Sequence, residues 1–314
     1  MMYLGLDTSN YTTSMAVAED NSIIYNEKIS LNVDKGRIGL RQNDAVFGHV
    51  RNIPELAKRI GQLQISAIGY AAYPRDADSS YMPCFTSGSS AARCMASLCG
   101  IPSYPFSHQA GHIAAAIYSA GADKIKEAPY LAFHVSGGTT ELLYVKEGNI
   151  ISAGRSMDLH AGQAVDRIGV MLGLAFPCGA ELEKLAVNTA PGKPRICVKD
   201  LNCNLSGLEN QAAAMIKKGY TPEETAAYTI EFIKLTIDAM TENALERYGP
   251  LPVLYAGGVM SNVIIKEHLM NKYDAYFGQP EYSCDNAAGI ALLCRDAYNT
   301  EQILRIVKNE VLDA

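Results

Sequence analysis

Stretches whose apolar residues return every third or fourth position alternate along this chain with short apolar runs. His49, Ile53, Leu56, Ala57 and Ile60 give residues 48–61 helical spacing, and residues 65–72 read as the strand that follows. Helical spacing also marks 86–99, 108–120, 161–173, 179–188 and 222–247. Residues 251–256 form a short apolar strand running into Gly257-Gly258, and 284–299 is a final helix. Alternation of this kind predicts an α/β fold with sheets covered by helices. No low-complexity tract or long linker breaks it.

The same patterning contains an internal echo. GLDTSNYTTSMAVAEDNSIIYNEKIS, from Gly5, and FHVSGGTTELLYVKEGNIISAGRS, from Phe133, share an order: apolar strand, Ser/Thr/Gly-rich turn, second strand, polar turn, third strand. A shift of 127 positions lays Ser9 on Ser136, Thr12-Thr13 on Thr139-Thr140, and Ile23-Ile24 on Ile150-Ile151. A repeat of this size implies a duplicated domain. Backbone N–H groups in such a turn can converge on an anion, and Gly137-Gly138 allow close approach. Two turns in matching register could hold a nucleotide's phosphates, although either alone reads as a plain hairpin.

Composition narrows the class. Hydrophobic residues make up 48% of the 314 and charged residues 19%, enough apolar material for a sizeable core and too little charge for disorder. The least polar stretch, 112–122, is too short to span a membrane, and the N-terminal residues lack a secretory pattern, so a cytoplasmic protein is expected. None of the eight cysteines forms a C-x-x-C pair, and they read as small buried thiols. The net charge of −6 gives no general attraction for nucleic acid, so an RNA partner needs a local basic patch or a basic companion protein.

Candidate chemistry gathers at two places. His108 and His112, four apart at the start of a helical stretch, present both imidazoles on one face, within reach of one ion. Asp285, at the entrance to the last helix, is a candidate third ligand; its alternative role is that helix's N-cap. The residues between the histidines include no glutamate, so the metallopeptidase arrangement H-E-x-x-H is absent. The second place is glycine-rich. Gly257-Gly258 lie between a strand and Asn262, which opens a helix, and residues 161–186 read as two helices joined by Pro177-Cys178-Gly179. Asp166 and Glu183 are the acidic residues there best placed for ribose hydroxyls, though each alone also reads as a solvated helix-face charge.

In order along the chain these motifs resemble those of the TsaD family of tRNA threonylcarbamoyladenosine synthase subunits, once classed as M22 glycoproteases. GLDTS is similar to the family's G-I-E-T-S, SHQAGH to N-H-x-x-G-H, and VSGGTTELLYV to V-S-G-G-(H/N)-T-x-L. AGQAVDRIGVMLGLAFPCGAELEKLA, NLSGLENQ, AGGVMSN and CDNAAGIA resemble its remaining blocks, so the likeness spans nearly the whole length.

The resemblance implies a duplicated actin-like ATPase fold of the sugar kinase/Hsp70/actin type, with two lobes and a central cleft. The lobes are expected at 1–115, completed by about 285–314, and at 116–284. It implies a divalent metal (iron or zinc, with magnesium a further candidate) on His108, His112 and Asp285, joined by His134 where archaeal members have a metal-binding tyrosine. It places Ser136, Gly137, Gly138, Asp166, Gly179, Glu183, Gly257, Gly258 and Asn262 at or beside positions that contact ATP or an adenylate. The implied reaction moves a threonylcarbamoyl group from an adenylate to N6 of a tRNA adenosine. The implied partners are tRNA, reached through a partner protein, and a second copy or a TsaB-type paralogue. Departures point to a divergent bacterial paralogue. Tyr11 and Thr12 stand where the family has an Asp-Glu pair, Leu159 replaces an aspartate, and ADSSYMPCFTSG replaces a G-P-G-L segment. Carbamoyl transfer to a small molecule and a non-catalytic role as nucleotide-binding partner are the alternatives these changes leave open.

Overall fold

The computed structural model describes residues 1–9, 11–31, 40–77 and 80–312, with side chains through 303; Asn10, Asp78, Ser79 and residues 313–314 of the segments discussed above lie outside the described residues. The chain begins β1 (Met2–Asp7), β2 (Thr12–Glu19), β3 (Ser22–Ser30), α1 (Gln42–Ile60), β4 (Ile65–Tyr73), α2 (Phe85–Cys99), β5 (Ser103–Ser107), α3 (His108–Ala120). It continues β6 (Tyr130–Val135), β7 (Thr140–Lys146), β8 (Asn149–Arg155), α4 (Ala161–Met171), α5 (Gly179–Ala186), β9 (Cys197–Lys199), β10 (Asn202–Asn204) and α6 (Ser206–Lys217). The last elements are α7 (Pro222–Tyr248), β11 (Val253–Ala256), α8 (Val263–Lys272), β12 (Ala275–Phe277) and α9 (Ala288–Leu312). The backbone divides into two compact units, Met1–Tyr118 with Cys284–Ala314, and Ser119–Ser283.

Each unit holds a five-stranded sheet of one topology. The first is ordered β3-β2-β1-β4-β5 and the second β8-β7-β6-β11-β12. In both, three antiparallel strands are extended by two parallel ones. The 127-residue offset holds through the ladders. Leu6 pairs with Met15 as Phe133 pairs with Leu142, and Ser14 pairs with Lys28 as Glu141 pairs with Arg155. Even the hairpin turns agree, since Asp20 (φ 51°) and Glu147 (φ 52°) both take the left-handed conformation.

Strand alternation sorts the first sheet's faces. Leu4, Leu6, Met15 and Val17 pack with Leu56 and Ala92 in the core under α1 and α2. The opposite parity of β1 meets α9: the Tyr3 ring lies 5.6 Å from that of Tyr298, and a Cβ on Gly5 would fall 2.5 Å from the Ala291 nitrogen. Asp7, next in that parity, ends β1 on the same side. In the second unit Leu131, Phe133 and Leu142 bury against Ile168 of α4 and Ile233 and Ile237 of α7. Each such side chain contributes about 1.5–3 kcal/mol relative to exposure. The long α7 starts at a capping box, in which Thr221 accepts from the Glu224 N–H and Glu224 reaches back to the Thr221 N–H.

Several boundaries differ from the sequence reading. The helix expected over 48–61 begins six residues earlier, at Gln42, and the final helix begins at Ala288 rather than 284. The sequence shows no clear period between 189 and 220, where the structure has β9, β10 and α6. Strands of three residues are too short to show a period, and Pro105 disguises β5, which is tolerated because β5 is an edge strand. The cysteines divide evenly: 84, 178, 203 and 294 are buried, whereas 94, 99, 197 and 284 are exposed, correcting the expectation that all are buried. Burial pushes the Cys203 and Cys294 thiols up to about 12, so both stay protonated. No helix among the described residues is long and apolar enough to cross a membrane.

Candidate functional site

The parallel strands of the first unit end where β1 delivers Asp7 and β5 runs directly into α3. His108 and His112 occupy one face of α3, one turn apart, and their Nε2 atoms lie 2.9 Å from each other. Asp285 Oδ1 is 3.6 Å from His108 Nε2 and 3.5 Å from His112 Nε2. Donor atoms bound about 2 Å from a shared cation take separations of this size. Among the described residues these three form the group of histidine, cysteine and acidic side chains able to share an ion.

A fourth residue completes the geometry. Asp7, 1% exposed, accepts from the Ser9 N–H through Oδ1 (2.7 Å) and faces His108 Nδ1 through Oδ2 (2.7 Å). A carboxylate can only accept, so Nδ1 carries a proton, and once the ring gives up its other proton the Nε2 lone pair faces His112 and Asp285. This is the carboxylate–histidine arrangement that orients metal ligands. Burial pushes the His108 imidazolium down, but the charge and hydrogen bond of Asp7, with the charge of Asp285, outweigh it and hold the group at about 9.

Local sequence sets Asp285 ahead of the first turn of α9. The N-cap position of α9 is Ala287, whose carbonyl accepts from the Ala291 N–H; beside it Asn286 Oδ1 accepts from the Ala288 N–H (3.0 Å) and its Nδ2 donates to the Cys284 carbonyl. The start of α9 also lies against α3 at a point only glycine permits, since a Cβ on Gly289 would fall 1.8 Å from the Gly111 oxygen. Gly111 precedes His112 by one residue. The two histidines and the carboxylate are thus brought together by helix–helix contact.

In the second unit a cavity of about 340 Å³ is lined by Gly137, Asp166, Gly179, Glu183, Gly258 and Asn262 among others, with Val165, Ile230, Ile233 and Ile265 as its apolar wall. The volume suits a small-molecule ligand. Asp166 Oδ1 accepts from the Cys178 N–H and Glu183 Oε1 from the Val263 N–H, which leaves each carboxylate a second oxygen. Asn262 Oδ1 caps α8 through the Ile265 N–H. Ser261 Oγ, shielded in the same wall, has no hydrogen-bond partner among the described residues.

The glycines separate into two kinds. A Cβ added at Gly137, Gly138, Gly179 or Gly258 would meet nothing within 4 Å. Gly257, at φ 100°, would instead drive its Cβ to 2.2 Å from the Val135 oxygen, so it serves the backbone. Ser136 closes its own turn: its N–H donates to the Thr139 carbonyl (2.8 Å), and its carbonyl accepts from the Gly162 N–H (3.1 Å). Ser136, Gly138 and Gly257 lie outside the cavity lining. His134, in the second unit, pairs across the β6–β7 ladder with the buried Glu141.

Two residues escaped the sequence reading. Asp7 carried a signal, since it stands at the acid of the family's G-I-E-T-S. Asp158 carried a weaker one, as the acid beside Leu159. Its carboxylate accepts from the Leu159, Leu205 and Ser206 N–H groups, the Ser206 hydroxyl and the Asn204 amide, tying the β8–α4 loop to the start of α6. Leu159 itself is buried in the second unit's core. Tyr11 is an exposed turn residue whose carbonyl accepts from the Leu31 N–H.

Solved structures share this duplicated architecture. HypF of T. kodakarensis superposes with a TM-score of 0.61 at 13% identity, covering 96% of this chain and 48% of that one. The ROK hexokinase of Thermus thermophilus superposes at 0.55 and 15% identity, covering 96% and 100%. The fold is therefore that of the actin-like ATPases and sugar kinases. Residues 80–292 match the TsaD family, described as tRNA N6-adenosine threonylcarbamoyltransferase. The tRNA N6-adenosine threonylcarbamoyltransferase of Fervidobacterium nodosum is 30% identical over 312 residues, covering 93% of this chain and 91% of that protein. The chain belongs to the TsaD family, a family of transferase enzymes.

Proposed function

We propose that the chain transfers a threonylcarbamoyl group from an adenylate to N6 of a tRNA adenosine, using a divalent cation held in its first unit. The observation that carries this reading is the cluster of His108, His112 and Asp285 with Asp7 buried behind it. Two imidazoles and a carboxylate suit zinc or iron better than magnesium, which prefers oxygen donors and retained waters. When bound, the cation would polarise the carbonyl of the transferred group. His108 and His112 would hold it through Nε2 and Asp285 through its carboxylate, while Asp7 keeps the His108 proton on Nδ1. His134 is the further donor that family membership suggests.

In the second unit, Asp166 and Glu183 would accept from ribose hydroxyls with their remaining oxygens. The apolar wall would take an adenine, and the open faces of Gly137, Gly179 and Gly258 leave backbone room beside it, with the Ser136–Gly138 turn next to them. The ligand is ATP or the adenylate. The protein would act in the cytoplasm with a TsaB-type partner or a second copy of itself.

The test is to supply threonylcarbamoyl-adenylate, unmodified tRNA and a TsaB-type partner, with ferrous or zinc ion, and to measure threonylcarbamoyladenosine by nucleoside mass spectrometry. Product that disappears in His112→Ala supports the reading. The loss of the family's acidic pair at Tyr11 and Thr12 favours a second one, a nucleotide-binding partner without transfer. A purified protein that carries no metal and yields no product selects that second reading, and product on free small-molecule acceptors alone selects carbamoyl transfer without RNA.

A further inference from the structure

The segment leading into β9 reads KPRICVK from Lys193, and its burial alternates residue by residue. Pro194, Ile196 and Val198 are half-buried, and the last two pack on the second unit's core. Lys193, Arg195, Cys197 and Lys199 are exposed. Pro194, and the restriction it places on Lys193, favour extended backbone ahead of the strand. Within β9 the outward positions Cys197 and Lys199 lie roughly 6.5–7 Å apart, and Arg195 and Lys193 continue the same exposed alternation ahead of it. A fourth stands beside them: the Arg155 N–H donates to Asn202 Oδ1 (3.0 Å), and Asn202 is the ladder partner of Lys199.

The fold does not use these charges. Among the described residues none of the four makes an ion pair, while the adjacent acid, Asp200, is taken by Arg247 at 2.7 Å. Lys217 and Lys218 differ, since they sit at the C-terminus of α6 where a cation complements the helix dipole. Inward residues that anchor the segment and outward residues that only carry charge form a built surface. In a chain of net charge −6 this is a concentration of unpaired positive charge along one line.

We propose that Lys193, Arg195, Lys199 and Arg155 form a strip on which the second unit holds the sugar-phosphate backbone of RNA. The inference rests on the reading of tRNA as acceptor and supplies the local basic patch that such an acceptor requires. A linear row of cations suits a phosphate chain. It lacks the buried aromatic anchors that dominate protein interfaces. The strip is also tied to the cavity within one unit: Arg155 leads into the loop that Asp158 cross-links, and that loop opens α4, whose Val165 and Asp166 line the cavity.

The experiment measures binding of an unmodified tRNA transcript to the full chain and to Lys193→Gln/Arg195→Gln/Lys199→Gln between 50 and 200 mM salt. Three lost phosphate contacts should lower the slope of log affinity against log salt by about two to three, and affinity by roughly 10–100-fold. Adenine-nucleotide binding and melting temperature should match wild type, as should RNA binding by Lys217→Gln/Lys218→Gln. Unchanged slope and affinity in the triple variant would overturn the proposal. So would a wild-type protein that binds no tRNA, including one that takes an acidic protein on this strip instead. Lost binding in the variant, with no transfer to bound tRNA by wild type, keeps the strip and removes the proposed reaction. Transfer with an unaltered KM in the variant keeps the reaction and removes the strip.

Discussion

The two sheets are copies in register but opposites in chemistry. Position 7 ends β1 with a buried carboxylate that orients His108; the equivalent position, 134, is the last but one of β6 and carries an imidazole across from Glu141. The turn after β1 carries Tyr11, and the turn after β6 carries Gly137 and Gly138 with open space where side chains would be. Duplication has preserved what the ladder needs, the pairing and the left-handed turn residue, and has varied what the strand ends present. One copy gathers two imidazoles and a carboxylate, and the other a walled cavity.

The largest expected effect breaks the first half alone. Asp285→Ala should lower zinc or ferrous-ion affinity by more than 100-fold by titration calorimetry, since even the residues behind ligands are worth about 10–100-fold. Adenine-nucleotide affinity should not move. Gly257→Ala should break the second half through its backbone: left-handed φ and the clash with Val135 predict about 2–3 kcal/mol lost in denaturant unfolding. Its neighbour sharpens the contrast. Gly258→Ala should hold stability within about 0.5 kcal/mol and weaken nucleotide binding, because the new methyl group enters the cavity.

Asp7→Asn should lower cation affinity by about 10–100-fold with all three ligands intact. The twin position decides how separate the copies are. If His134→Ala leaves cation affinity at the wild-type value, the second strand end has no part in the centre.

The smallest effect concerns Asp158. Burial acts to push its carboxyl up, but hydrogen bonds from Ser206, Leu205, Leu159 and Asn204 hold it well below the usual 3.8. A carboxyl lowered in the folded state stabilises the fold above its unfolded value, and that contribution is lost as pH falls through the folded one. Asp158 is exposed, so solvent screening reduces its worth to about 1 kcal/mol. Asp158→Asn should lose that amount at pH 7, and its melting temperature should fall less than wild type's between pH 5 and 3.

Legibility followed the range of each interaction. The duplication was visible because hairpin registers and turns are local, and the histidine pair because four residues make one helical turn. Asp285 could be nominated from its place ahead of the last helix, but its approach to the histidines depends on the contact of Gly289 with Gly111, which no spacing reveals. Asp7 was hidden for the opposite reason: a carboxylate at a strand end looks like any turn acid until His108 arrives from 101 residues away. Gly257 and Gly258 read alike as letters, and only the position of the Val135 oxygen tells them apart.

The first unit is discontinuous, drawn from Met1–Tyr118 and Cys284–Ala314, whereas the second is one unbroken stretch. On the ribosome the later-encoded half can finish folding while the earlier one still waits for its closing helix. Until that helix arrives, Gly5 and Gly69 have no backbone to rest on and the histidines lack their carboxylate. The grouping of His108 and His112 with Asp285 thus waits for the last segment of the first unit, and a released chain truncated near residue 280 would keep every residue lining the cavity but lack Asp285.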